Sequence, residues 1–184
     1  MRAYQYVFLV ITALLALHCG SDHQDKFPGY LPNMTYPNGH TLTHNETDQI
    51  CSELETKLAE LVNAERAKIG VVALYRLSSL DALGRGHCMH EYEHGFYDHF
   101  NPEGDGPAER LGRAGARMWG LPAENLWIVS STATAEDILQ GFMGSPGHRD
   151  NILASYSTHF GVGIVRAPNG QLHVAIEFVS LFHP

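Results

Sequence analysis

Between residues 50 and 67, Ile50, Leu54, Leu58, Leu61, Val62 and Ala64 or Ala67 recur at steps of three and four. That spacing lines up one face of a helix, so a helix is predicted here, capped by Thr47 or Asp48 and stopped at Gly70. A second helix should open at Ser78 or Ser79, carry Asp81 in its first turn and close at Gly95. Residues 101–107 read Asn-Pro-Glu-Gly-Asp-Gly-Pro, which is turn chemistry, and a short helix over 108–114 comes next. Residues 124–129 read as a strand and 134–142 as a helix begun by Thr134 or Ala135. Toward the end, 160–166 and 172–178 alternate in strand fashion around Ala167-Pro168-Asn169-Gly170, and Asn-Gly between two such runs signals a hairpin. Helices over the first two-thirds and an antiparallel hairpin at the end predict an α+β fold.

The apolar run from Val7 to Leu17 comes after a single arginine and is too short to span a bilayer. Position and length match the core of a signal peptide over residues 1–19. Cys19, with Gly-Ser-Asp after it, stands where a lipoprotein signal would be acylated, although His18 is not the small residue that signal prefers. An acyl chain on Cys19 would tether the protein to a membrane surface without spanning it. Residues 20–46 hold Pro28, Pro32, Pro37, Gly29 and Gly39 among polar residues with no hydrophobic period, so they read as a flexible linker. One domain, residues 47–184, remains. Asn33 and Asn45 begin glycosylation sequons, which matter only in a eukaryotic secretory route.

The chain has 184 residues and a formal charge of −8, which speaks against nucleic acid as a partner. Its twelve histidines make it responsive to mild acid and supply possible metal ligands. Cys51 and Cys88 fit either a disulfide in an exported protein or two buried thiols. His90-Glu91-Tyr92-Glu93-His94 spells HExxH, which on a helix can grip zinc through His90 and His94. Gly95 ends that helix directly after His94, so the second ligand would sit on a fraying end.

A more specific pattern is spread along the domain. It comprises Leu61-Val62-Asn63-Ala64-Glu65-Arg66, then Gly95-Phe96-Tyr97-Asp98-His99-Phe100-Asn101-Pro102-Glu103-Gly104, then Ala123-Glu124-Asn125-Leu126. Ser145-Pro146-Gly147-His148-Arg149-Asp150-Asn151-Ile152-Leu153 and His159-Phe160-Gly161-Val162-Gly163 complete it. In this order, from about residue 50 to 178, these stretches resemble the CAP superfamily, and within it the bacterial SCP-like branch. The resemblance implies a three-layer α-β-α sandwich with a small antiparallel sheet and a cleft lined by histidines and acids. His99 takes the place of the first cleft histidine, Glu124 that of the glutamate in a Gly-Glu-Asn motif, and His148 that of the second histidine. Ala123 replaces the motif's glycine, and Ser145 falls where many eukaryotic members carry a second acid. Asn125 completes the expected cleft. Ser145-Pro146-Gly147 reads as a turn presenting His148, with Ile152 and Leu153 anchoring the segment on the core again.

Two imidazoles beside a carboxylate suit a divalent cation, zinc above all, with His99 and His148 as ligands. Glu124 could instead orient one imidazole from behind. Two function classes fit these residues. The first is an exported binding or scaffold module, secreted or anchored to the cell envelope, whose cleft takes a cation and a small or lipid-like ligand. Its partner would be an extracellular protein or a lipid- or sterol-like molecule. The alternative is a metal-dependent hydrolase or peptidase using the His/Glu cleft or the HExxH helix.

Overall fold

A computed structural model describes residues 49–181. The leader, the linker, Cys19 and both sequons lie outside the described residues, as do Thr47 and Asp48. Helix α1 spans Gln49–Lys68, strand β1 Tyr75–Arg76, α2 Ser78–His94 and α3 Pro107–Arg113. Strand β2 spans Ala123–Val129, helix α4 Ala135–Gly144, α5 Pro146–Leu153, β3 His159–Arg166 and β4 Leu172–Val179. The four strands form one sheet in the order β1-β3-β4-β2.

Helices α1, α4 and α5 cover one face of the sheet and α2 and α3 the other, which makes the three layers. The strand alternation decides which residue faces which layer. Phe160, Val162 and Ile164 of β3 and Leu172, Val174, Ile176 and Phe178 of β4 pack on Leu58 and Val62 of α1, Ile138 and Phe142 of α4 and Ile152 of α5. The opposite face carries Ala175 and Val179, which pack with Leu80, Leu83 and Cys88 of α2 and with Leu111 of α3. Glycine sets the distance on that side. A Cβ on Gly163 would lie 2.1 Å from the Arg85 nitrogen, and one on Gly161 would lie 2.3 Å from the Leu80 carbonyl carbon. Helix α2 therefore rests directly on the β3 backbone, closer than any side chain would permit.

The local signals behave as their chemistry dictates. Gly95 adopts φ +67° and closes α2. Thr134 caps α4, its side chain accepting from the Asp137 backbone N–H while Asp137 accepts from Thr134 in return. Gly170 takes φ +85° in the hairpin turn. Two expectations are corrected. Ser145-Pro146-Gly147 is not a turn before His148 but the start of a helix: Pro146 occupies the first position of α5, where its missing N–H costs nothing, and Ser145 is the N-cap. The sheet also gains β1, a two-residue strand running parallel to β3.

Because β1 is so short, β3 leaves backbone donors open along its edge. Two carboxylates fill them: Asp81 Oδ1 accepts from Val162 N at 2.8 Å, and Glu55 Oε1 accepts from Ile164 N at 2.9 Å. Arg76 of β1 and Arg85 of α2 neutralise these acids. Burial nonetheless raises the pKa of both acids above the usual carboxylate range. No disulfide joins Cys51 to Cys88: Cys51 belongs to the α1 layer and Cys88 to the α2 layer, on opposite faces of the sheet. Burial pushes the Cys88 thiol well up, so it is an unreactive packing residue.

Candidate functional site

Strand β2 is an edge strand, and its alternation sends neighbouring residues to opposite layers. Glu124 points to the α2–α3 side and Asn125 to the α5 side. This one dipeptide organises both halves of the cleft.

On the first side, Glu124 is buried and accepts from His99 Nδ1 at 2.8 Å through Oε1. Its Oε2 accepts from Arg110 Nη2. Arg110 comes from α3 and also donates from Nη1 to the backbone carbonyls of His99, at 2.8 Å, and Asp105, at 3.2 Å. The guanidinium thus grips both the loop that carries His99 and the acid that orients its ring. The loop is further closed by Asn101, whose side chain accepts from Asp105 N at 2.7 Å. His87 of α2 pairs through Nε2 with the Asp98 carbonyl at 2.9 Å, which makes Nε2 the protonated nitrogen. His99 itself is 48% exposed in its side chain, with Nδ1 committed inward and Nε2 left for a ligand.

On the second side, Asn125 donates to the His148 carbonyl at 3.0 Å and accepts from Asn151 at 2.9 Å. These bonds lock α5 against β2. Arg66 fixes the other end of α5 by donating to the Ile152 and Ala154 carbonyls at 2.7 and 2.8 Å. It closes the loop after α1 as well, through the Val72 carbonyl at 2.9 Å. A cation at a helix C-terminus also complements the helix dipole. His148 stands in the first turn of α5, half-buried, with its ring edge-on to Phe142 at 5.2 Å. Partial burial lowers its pKa, and the His99 imidazole, when charged, lowers it further. The two histidines are therefore electrostatic neighbours across the β2 edge.

The structure joins His99 to Glu124 by a hydrogen bond, places His148 on α5 within the electrostatic influence of His99, and assigns Asn125 a clamping role. Ser145 caps α5 without a side-chain capping bond. Glu124 does not face the cleft as an ion ligand, since both its oxygens are engaged by His99 and Arg110. It is the orienting acid behind the ring. The HExxH residues separate: His90 and His94 lie on the outer side of α2 with ring centroids 4.2 Å apart, whereas Glu91 is buried and bonded to His173 Nδ1 at 3.1 Å. A general base aimed at a metal-bound water would have to face the histidines, and Glu91 does not. Among the described residues, no three His, Cys, Asp or Glu side chains converge as metal ligands. The sequence reading missed Arg110, Asn151 and Arg66. The buried Glu in the otherwise apolar run Val174-Ala175-Ile176-Glu177-Phe178 is a further signal that it passed over.

The three-layer fold is that of a protein of the CAP type. Residues 59–181 match the Cysteine-rich secretory protein family, CAP, and the chain belongs to it. Protein YkwD of Bacillus subtilis (strain 168) is 32% identical over 127 residues, which is 69% of this chain and 48% of that protein. This chain thus spans about half the length of that curated relative. An extracellular protein containing an SCP domain from Bacillus anthracis str. Ames superposes with a TM-score of 0.64 at 23% identity, over 77% of this chain and 45% of the other. An outer surface protein from Borrelia burgdorferi gives 0.66 at 15% identity, over 74% and 97%. At these identities the two structures speak to the fold.

Proposed function

We propose that this chain is an exported or envelope-facing binding module whose ligand engages His99 Nε2 and the His148 imidazole. The observation that carries the reading is the buried Arg110–Glu124–His99 chain of contacts. It fixes the ring's tautomer and orientation while keeping the carboxylate out of the cleft. The extracellular and outer-surface proteins among the solved relatives support the location. A lipid anchor at Cys19 is part of the same reading.

The donor set of the cleft is two imidazole nitrogens without a protein carboxylate. That set fits a weakly held, exchangeable divalent cation, zinc first, and does not fit a tightly resident one, which takes three or four protein ligands. The cation would bridge the cleft to a small or lipid-like ligand or to a partner protein. The hydrolase reading is less well supported, because Glu124 is already neutralised by Arg110 and has no free oxygen with which to activate water.

Zinc titrated into the purified chain, monitored by imidazole NMR, tests this proposal. Binding that perturbs both rings and weakens in His99→Ala and in His148→Ala is the expected outcome. Zinc binding indifferent to both substitutions, or turnover of peptide or ester substrates that depends on Glu124, would overturn it.

A further inference from the structure

Glu177 of β4 stands directly across the strand pair from Glu124 of β2. It is fully buried, and its carboxyl and that of Glu124 both approach the same guanidinium nitrogen, Arg110 Nη2. Among the described residues, neither oxygen of Glu177 receives a hydrogen bond from any N–H. The nearest cation is Arg110, whose Nη2 is 3.7 Å from Glu177 Oε1, too far for a hydrogen bond. Arg110 spends Nη1 on two carbonyls and Nη2 on Glu124. Apart from His99, which donates from Nδ1 to Glu124, the other groups near this pair bring no positive charge. Glu91 of α2 is acidic and bonded to His173 of β4, and Cys88 of α2 is a buried thiol. Two carboxylates would therefore share one guanidinium in a dry interior, each an acceptor facing an acceptor. A single proton between them removes both the excess charge and the mismatch.

We propose that Glu177 is a positioning residue of the cleft, a neutral carboxylic acid that donates its O–H to the Glu124 carboxylate and so holds Glu124 against His99. Burial and the neighbouring Glu124 both push Glu177 well above the usual carboxylate range, consistent with the proton residing there. Burial raises Glu124 as well, while Arg110 and the contact with Glu177 act in the opposite sense. The role assigned to Glu177 rests on the reading of His99 as a ligand-facing group.

Glu177→Gln retains an uncharged donor at this position, whereas Glu177→Leu fills the space with none. Infrared spectra of the full chain at pH 7 should show a protonated-carboxyl C=O band that both variants lose. The downfield Nδ1–H proton of His99 should persist in Glu177→Gln and vanish in Glu177→Leu. Zinc affinity should be unchanged in the first and about tenfold weaker in the second, the order of effect expected for a group behind a ligand. A wild-type spectrum without the band overturns the proposal. So does a Glu177→Gln variant that loses the His99 signal, or a Glu177→Leu variant that keeps both signal and affinity. If Glu177→Leu does not fold, the band and the Glu177→Gln comparison decide. Absence of zinc binding in the wild type itself counts against the cleft reading, while the infrared band and the His99 proton still judge Glu177.

Discussion

His87 links the stability of the domain to the loop that carries His99, and its pH dependence can be worked out. The ring is buried on α2, donates through Nε2 to the Asp98 carbonyl and leaves Nδ1 unpartnered among the described residues. Burial, with Arg110 adding to it, lowers its pKa from 6.5 to about 3. In the unfolded chain the same imidazole takes up a proton near 6.5, so below that pH the unfolded state binds one more proton than the folded state. Stability is fully present above pH 6.5 and falls as the solution is acidified, down to the folded value near 3. The loss is about 1.4 kcal/mol per pH unit, which gives about 2 kcal/mol between pH 7 and pH 5. The buried acids oppose it, because carboxyls with raised folded pKa values favour the folded state in acid. A difference against His87→Gln removes that background. Urea unfolding of wild type and His87→Gln at pH 7 and pH 5 should show the wild type losing about 2 kcal/mol more than the variant. Parallel losses in the two proteins would refute the assignment of His87 as a buried neutral imidazole.

Three further outcomes are expected from the packing and the cleft. Gly163→Ala should destabilise the domain by about 1–3 kcal/mol or more in denaturant unfolding, because its Cβ would meet the α2 backbone; a neutral effect would mean that α2 does not rest on β3. Asn125→Ala should cost about 1–3 kcal/mol and increase hydrogen exchange along α5, since it removes the side chain that bonds both the His148 carbonyl and Asn151; unchanged exchange would deny the clamp. Zinc binding should weaken as pH falls below the ordinary imidazole range, because a protonated ring cannot ligate, and partial burial sets the His148 transition below 6.5; affinity constant down to pH 5 would exclude both histidines.

The parts of this molecule readable from sequence are those fixed by local chemistry. The α1 periodicity, the Gly95 stop, the Thr134 cap and the Asn169-Gly170 turn each act within a few residues, and each stands where the pattern placed it. The Ser145-Pro146-Gly147 stretch misled because Pro and Gly serve equally in turns and at the first turn of a helix, and only packing of Ile152 on the core decides between them. The resemblance singled out His99, Glu124 and His148 by residue type and order, and the structure pairs the first two. Arg110, Arg66 and Glu177 were not, because their roles depend on the register between β2 and β4 and on how α3 and α5 close over the sheet edge. A glutamate on an inward position of a buried strand is the one mark that such a register contact leaves in the sequence.

The proposal that His99 and His148 share one cleft across the β2 edge underlies the whole functional reading of this chain. The most direct measurement is the NMR titration of His148 in the wild type and in His99→Gln. Because a charged His99 lowers the His148 pKa, removing it should move the His148 midpoint upward while leaving the Phe142 contact in place. An identical His148 midpoint in the two proteins would mean that the imidazoles do not share a cleft.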